Sequence, residues 1–269
     1  MDIRKLRLPT VSPECSKILE MLGRENATTQ RIAKVVALDP MLSASLLRYA
    51  NSPAYRRPAP VTSVSAAVGL LGLKNVTAAV MMATMRSFSK NPTPIDDQLW
   101  AHAITISTLC KAVATKAWPE NAEKAELAGL LHDIGALVLS SNFPKDYTEL
   151  VALARTTNEP LDALEAKRFS VTRGELAGHV ANELRLPGDI ATWPAAYHAP
   201  RQANGSSKPL AILALAHWVE TEHVPPDERF PEAIPYTRAE AVACLGIDSN
   251  AAAEISAQCQ LLLQERLSV

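Results

Sequence analysis

Apolar residues recur at intervals of three and four positions along most of the chain, which is the spacing of the buried face of an α-helix. The first such group comprises Cys15, Ile18, Leu19 and Leu22, and Gly23 closes it. No convincing stretch alternates apolar and polar residues as a half-buried strand does. The hydrophobic pattern therefore predicts an all-α fold.

Capping residues and helix breakers predict where the helices begin and end. Asp39-Pro40 is an N-cap followed by a first-turn proline, Gly72 is a stop, and Thr237 with Glu240 forms a capping box before Gly246. Helices are expected from Ser12 to Gly23, from Thr28 or Thr29, from Asp39 to Ala50, from Ser63 to Leu71, from about Asn75 to Phe88 and from Asp97 to about Lys116, and then near 121–131, 133–141, 145–156, 160–168, 173–185, 188–198, 208–222, 238–245 and 249–267.

Segments rich in proline and small polar residues separate these helical stretches. Asn91-Pro92-Thr93-Pro94 is hostile to helix and predicts a boundary between two lobes. Gln202 to Lys208 and Val224 to Pro235 are expected to be loops, and the second is a candidate surface for contact with a partner. The predicted regions are an N-terminal helical lobe at 1–92, a helical bundle at 93–223, and a loop with helices that pack on the bundle at 224–269.

Composition narrows the class of protein. The 269 residues are 48% hydrophobic and 20% charged, with a formal net charge of −1 and no clustered basic face. Binding to nucleic acid normally requires such a face, so it is not expected. The most apolar stretch, Val61 to Met85, is broken at Gly72 and predicts two core helices rather than a membrane span.

The cysteines and the N-terminus predict an intracellular environment. Cys15, Cys110, Cys244 and Cys259 are far apart in apolar stretches, so buried reduced thiols are expected rather than disulfides or a zinc ribbon. The first residues carry charges and no apolar signal region. We therefore expect a cytoplasmic protein that does not bind membranes.

A His-Asp pair is the strongest chemical signal in the sequence. His132 and Asp133 follow an apolar run that ends at Leu131. Imidazole and carboxylate both bind divalent metals, and His102, on the long helix expected from Asp97, could supply a second imidazole. The alternative is a buried pair that is satisfied by hydrogen bonds, because a single His-Asp dipeptide is a weak motif.

The sequence resembles the HDOD family, the HD-related output domains of bacterial signalling. The segments that carry the resemblance are Leu8 to Val11, Ala37 to Leu42, Leu46 to Tyr55, Val64 to Leu73, Leu99 to His102, Leu127 to Gly135 and Tyr197-His198. The resemblance implies an N-terminal helical lobe packed on an HD-like helical bundle. It also implies a regulatory role that is often exerted through protein contact.

The resemblance further implies where the metal ligands would lie. The ligand order of HD phosphohydrolases, H…HD…D, matches His102, His132 and Asp133, but His217 stands where the closing aspartate is expected. Arg173 follows the capping Thr172, where many relatives with two metals have a histidine. Losing a carboxylate and gaining a guanidinium both disfavour a second cation. The implied pocket is His102, His132, Asp133, Arg173 and His217, with His102, His132 and Asp133 as candidate metal ligands and no residue assigned as catalytic.

These departures predict a non-catalytic signalling module that acts through a protein partner. No cofactor is expected, although the remaining ligands are compatible with a single divalent metal. The alternative is an HD-type metal-dependent phosphohydrolase acting on nucleotides or cyclic dinucleotides. The sequence identifies neither the partner nor a small ligand. If the pair is structural, Asp133 should be buried and should accept a hydrogen bond from His102, from Arg173 or from a backbone N–H.

Overall fold

The computed structural model describes residues 3–8, 17–18, 21, 28–51, 55, 58–86, 93–157, 159–183, 188–199 and 207–267. Over these ranges the regular structure is helical and contains no strand, which confirms the all-α prediction. The helix predicted from Ser12 to Gly23, the Asn91-Pro92 break and the loop predicted at 202–208 lie largely outside the described residues.

The helices follow the capping signals to within a few residues. They are α1 (Thr29–Val36), α2 (Pro40–Ala50), α3 (Val64–Arg86), α4 (Pro94–Ala117), α5 (Ala122–Leu131), α6 (Ile134–Asn142), α7 (Pro144–Thr157), α8 (Leu161–Phe169), α9 (Arg173–Glu183), α10 (Gly188–His198), α11 (Lys208–His223), α12 (Arg238–Leu245) and α13 (Ser249–Leu267). Among the residues so described, no helix is both long and apolar enough to cross a membrane.

The chain divides into two compact units. One comprises Met1–Leu8 with Asn91–Leu263, and the other comprises Pro9–Lys90 with Gln264–Val269. In the second unit α3 is bent at Gly72, where φ is +69°, so the one continuous element corresponds to the two helices predicted on either side of this glycine. The lobe boundaries expected at 92 and 223 stay predictions.

Helix α4 is the element on which the candidate site is built. Thr93 and Asp96 form a capping box at its start, and Pro94 occupies the first turn, where a backbone N–H has no partner to lose. The helix therefore begins at Pro94 rather than at Asp97. It packs against α5 and α11, which places His102 beside residues from both helices.

Apolar side chains from several helices of the larger unit form a hydrophobic core. Each large side chain that is fully buried contributes about 1.5–3 kcal/mol relative to exposure. The core draws on α4, α5, α10, α11, α12 and α13, and includes Ile106, Leu109, Val113, Leu215, Val219, Leu245, Ile255 and Leu263. Cys110 and Cys259 are buried free thiols in this core, whereas the free thiol of Cys244 is only partly buried.

Two glycines allow close approach of the helices that carry the site. A Cβ on Gly135 would lie 1.9 Å from the carbonyl oxygen of Arg173, and one on Gly174 would lie 2.6 Å from the Cβ of His198. Neither position has room for a side chain. The glycine that follows His132-Asp133 therefore lets α6 contact the first residue of α9, and Gly174 does the same for α9 and α10.

We expect Gly135→Ala to destabilise the fold by at least the roughly 1–3 kcal/mol typical of overpacking, because the new methyl group meets backbone rather than a flexible side chain. Gly178→Ala on α9 is the matched control, since its Cβ would lie 3.4 Å from the Cβ of Ala195, an ordinary contact. The free energy of unfolding from urea titration compares the two. Equal stability of both variants would contradict the close approach.

Candidate functional site

Five residues predicted from the sequence meet in one buried cluster. His102 comes from α4, His132 and Asp133 form the junction between α5 and α6, Arg173 begins α9, and His217 lies on α11. None of the five is more than 3% exposed. The structure thus brings together the whole predicted pocket, and the expected burial of His132 and Asp133 is observed.

Three imidazoles of this cluster have the same hydrogen-bonding arrangement. The Nδ1–H of His102 donates to Glu220 Oε1 at 3.0 Å. The Nδ1–H of His132 donates to the Gly129 carbonyl at 2.7 Å, and the Nδ1–H of His217 donates to the Leu213 carbonyl at 2.7 Å. A hydrogen bond from one ring nitrogen fixes the tautomer and leaves the other as a lone pair. Each neutral ring therefore directs an Nε2 lone pair into the cluster.

The contact between His102 and His132 requires a positive species between them. Their Nε2 atoms are 3.2 Å apart, and two lone pairs at that distance repel. A proton or a metal cation makes the contact attractive. Two nitrogens bound at about 2.0–2.1 Å to one tetrahedral zinc are about 3.4 Å apart, which is close to the distance in this structure.

Electrostatics keep two of the imidazoles neutral. Burial lowers the pKa of His132 to about 3, despite the nearby Asp133, and lowers the pKa of His217 well below its ordinary value. Burial also acts against protonation of His102, but the charge and hydrogen bond of Glu220 outweigh it and raise the pKa. The cluster can therefore hold one proton on His102 or present three neutral nitrogen ligands to a metal.

Glu232 adds a carboxylate that the sequence did not lead us to expect. It lies on the segment between α11 and α12, and one of its oxygens lies within 4.8 Å of ligand nitrogens from His102, His132 and His217. Glu232 Oε1 and His217 Nε2 are both buried without a hydrogen-bond partner. Orphaned buried polar atoms are costly, so their convergence fits a site for one divalent cation.

A metal at this position would suit ions that accept imidazole and carboxylate ligands, such as zinc, iron or manganese. His102, His132, His217 and Glu232 would hold it. Bound there, the ion would act as a Lewis acid and would lower the pKa of any water it retained. The Oδ2 of Asp133 is also unpartnered and lies 3.6 Å from His132 Nε2 and 3.8 Å from His102 Nε2.

Arg173 fills the other side of the cluster. Its Nη1 donates to Glu232 Oε2 at 3.2 Å and to Asp133 Oδ1 at 3.4 Å, and its Nε donates to Asp162 Oδ1 at 3.1 Å. Its backbone N–H donates to Glu165 at 2.8 Å. The side chain is wholly buried, so four acidic residues surround a cation that water cannot reach.

The charge of Arg173 keeps two of the four acids around it ionised, whereas burial raises the pKa of Glu165 to about 7 and that of Glu232 to about 8 despite the guanidinium. Burial alone would raise the pKa of Asp133 and of Asp162, but Arg173 holds both well below the usual range. His198 reinforces this effect with a hydrogen bond from Nε2 to Asp133 Oδ1 at 3.1 Å. Burial disfavours protonation of His198, yet Glu232, Asp133 and Asp162 raise its pKa to about 10.

The site borders a cavity of about 630 Å³. Its walls come from α7, the start of α8, α11 and the segment between α11 and α12, and they include His217, Glu220 and Glu232. Phe230 separates part of the cavity from the cluster, because its ring centroid is 5.9 Å from that of His102 and 5.6 Å from the Arg173 guanidinium carbon. A ligand in the cavity would reach the cluster past this segment.

Sequence reasoning found the histidines and missed most of the acids. Glu220 is three residues after His217 on α11, and Asp162 and Glu165 are three residues apart on α8, so helical spacing could have indicated both pairs. Glu232 lies on a Pro-rich segment and gives no such signal. Asp133 accepts from Arg173, one of its three predicted partners, and from His198, which was not predicted.

Comparison with known proteins assigns the family. The HDOD domain profile matches residues 8–200, more than half of the 269 residues, and confirms the resemblance. A protein of Treponema pallidum (strain Nichols), described as uncharacterized, is 26% identical over 211 residues, which cover 75% of this chain and 40% of that protein. This chain thus spans well under half the length of that relative.

Solved structures share the fold. An HDOD domain protein of unknown function from Geobacter sulfurreducens matches with a TM-score of 0.69 and 20% identity, over 97% of this chain and 89% of that chain. A candidate signal transduction protein from Marinobacter aquaeolei VT8 matches with a TM-score of 0.77 and 22% identity, over 99% of this chain and 62% of that chain. A candidate phosphohydrolase from Shewanella amazonensis SB2B matches with a TM-score of 0.71 and 21% identity, over 97% of this chain and 95% of that chain. At these identities the likeness establishes the fold alone.

We expect Arg173→Met to cost about 3–5 kcal/mol of unfolding free energy, because it removes the cation from a buried set of carboxylates. Without Arg173 the pKa values of Asp133 and Asp162 rise, so the folded variant binds more protons than the wild type does. The loss of unfolding free energy in Arg173→Met should therefore be largest above neutral pH and smaller near pH 5.

Arg238→Met is the control for this change, because Arg238 pairs with Glu222 while their side chains are 42% and 33% exposed. Loss of such a surface pair costs about 0–1 kcal/mol. Urea titrations at pH 5 and pH 8 measure both variants. A small deficit for Arg173→Met, or one that grows as the pH falls, would contradict the role assigned to the guanidinium.

Proposed function

The chain belongs to the HDOD family, and we propose that it is a non-catalytic signal-transduction module that regulates a protein partner through direct contact. The proposal treats the histidine cluster as a regulatory pocket and not as a reaction centre. The observation that carries it is the ion pair between Arg173 and Asp133.

That ion pair occupies one oxygen of the carboxylate in the His-Asp motif. Asp133 Oδ1 lies within 3.4 Å of Arg173 Nη1 and 3.1 Å of His198 Nε2. A carboxylate that bridges two metals needs both oxygens, and a buried guanidinium repels a second cation. The arrangement therefore supports a pocket for at most one metal.

The ligand at position 217 also supports a regulatory role. His217 stands where HD phosphohydrolases have their closing aspartate, and its neutral ring brings no charge to offset that of a cation. With Glu232, the histidines make four protein ligands around one position. Structural metal sites are closed in this way, whereas catalytic sites keep one position open for water or substrate.

The proteins with similar structures are described with two different functions. The Marinobacter aquaeolei protein is described as a candidate signal transduction protein, in agreement with the proposal. The Shewanella amazonensis protein is described as a candidate phosphohydrolase, which is the second function to consider here. The observation that favours this second function is the cavity beside His217 and Glu232, which is large enough to admit a small phosphorylated substrate.

We expect no metal-stimulated hydrolysis of nucleotide monophosphates or cyclic dinucleotides above the uncatalysed background. The reason is that Arg173 takes the place of a second cation and that the ligands leave no open position. Purified wild-type chain is assayed with manganese, iron and magnesium, and the product is measured by chromatography.

His132→Ala is the control for contaminating activity, because it removes the central imidazole of the cluster. Turnover present in the wild type and absent from His132→Ala would overturn the proposal and support the phosphohydrolase. Turnover that is equal in both proteins would come from a contaminant and leave the chain inactive.

A further inference from the structure

Glu232 is placed to connect the histidine cluster to the protein surface. It lies in the non-helical segment 224–237 that joins α11 to α12. Its side chain is 4% exposed, with Oε2 bound to Arg173 and Oε1 without a hydrogen-bond partner. Oε1 lies 3.5 Å from His198 Nδ1. Burial raises the pKa of Glu232 to about 8, so a cation that bound Oε1 would stabilise the carboxylate form.

The nitrogen ligands from His102, His132 and His217 are neutral when they bind a metal, so they do not offset the charge of a divalent cation. Asp133 Oδ2 lies 3.6 Å and 3.8 Å from two of these nitrogens, but the other oxygen of this carboxylate is bound to Arg173 and His198. Glu232 is the carboxylate that falls within 4.8 Å of all three nitrogens. It therefore supplies from a loop the charge that is absent at position 217.

The segment that carries Glu232 is anchored to the bundle on both sides of this residue. Tyr236 is buried in the core, and Trp218 Nε1 donates to its carbonyl at 2.7 Å. Phe230 is inserted beside His102, and Arg155 Nη2 donates to the Arg229 carbonyl at 3.1 Å. Arg229 Nη1 in turn donates to the Thr221 carbonyl at 2.9 Å. Between α11 and these contacts, residues 225–228 are exposed. A ligand bond at Glu232 would add a strong tether to a segment that forms a wall of the cavity.

We propose that Glu232 is the anionic ligand of a three-histidine metal site, and that the bound metal fixes segment 224–237 against the bundle. Metal occupancy then changes the surface that this segment offers to a partner. The inference rests on the proposed regulatory function, because it assigns the ion to the control of a surface rather than to a reaction.

The test compares the wild-type chain with Glu232→Gln and with Glu228→Gln, an exposed acid on the same segment. Zinc binding is measured by calorimetry, and the ligand field is followed by the visible absorption of Co²⁺. We expect one ion per chain in the wild type and in Glu228→Gln. Glu232→Gln should bind at least about 10–100-fold more weakly, the loss typical of removing even an outer-shell partner.

Limited proteolysis reports the state of the segment independently of any activity. Trypsin can cleave after Arg229, and zinc should slow this cleavage in the wild type and in Glu228→Gln. In Glu232→Gln the rate should not depend on zinc, whatever its value in the absence of the ion. Comparing rates with and without zinc within each protein separates the ligand bond from the loss of the Arg173 contact.

An X-ray absorption spectrum of the zinc-loaded wild type keeps the proposal testable if Glu232→Gln does not fold, because it reports imidazole and carboxylate ligands directly. Absence of stoichiometric metal, equal affinity in Glu232→Gln, or zinc protection that persists in that variant would overturn the inference. None of these results implies catalysis. They would remove the argument from a closed ligand set, while the ion pair between Arg173 and Asp133, which carries the proposed function, would remain. Metal-dependent turnover would instead refute the proposed function. The X-ray absorption spectrum would still test whether Glu232 is a metal ligand.

Discussion

A buried arginine is the constraint on which the arrangement of the site depends. The Arg173 guanidinium is removed from water, and such a charge is tolerated only when opposite charges and hydrogen-bond acceptors surround it. Asp133, Asp162, Glu165 and Glu232 surround it from three separate parts of the chain. Its backbone is equally constrained, because the carbonyl oxygen of Arg173 lies against Gly135. The start of α9 thus sets the positions of α6, α8 and the segment after α11 together.

This constraint divides the cluster into two electrostatic halves. On one side Arg173 and the protonated His198 hold Asp133 and Asp162 as carboxylates. On the other side, His132 and His217 stay neutral because burial penalises their charged forms. Asp133 and Glu232 stand at the boundary, each with one oxygen bound to Arg173 and the other unpartnered. The half with neutral nitrogens is therefore the one that could accept a cation.

The fold could be predicted from the sequence because its signals are local. The capping box at Thr237 and the stop at Gly246 depend on residues within one turn, and the structure contains both. The capping box at Thr93 is equally local, but it was not predicted, and the helix start was expected at Asp97 instead of Pro94. The site could be predicted only in part. His102, His132, Asp133, Arg173 and His217 lie on helices whose pattern resembles a known family. Glu232 gives no periodic signal, and an acid on a Pro-rich segment is expected to be solvated until the fold buries it.

The position of Glu232 also bears on how the set of candidate ligands can differ while the fold is the same. The family profile ends at residue 200, so His217, Glu220 and Glu232 all lie beyond the matched segment. The His-Asp motif and Arg173 are held by the packing of α5, α6 and α9, where Gly135 leaves no room for variation. Glu232 comes from a segment that is anchored by Phe230, Tyr236 and the ion pair with Arg173, while residues 225–228 of the same segment are exposed. In the proposed ligand set, Glu232 supplies from this segment the carboxylate that α11 lacks at position 217, and the histidines keep their places. The carboxylate of Glu232 would offset the charge of a cation in the pocket. The charge of the pocket would then depend on a segment at the protein surface.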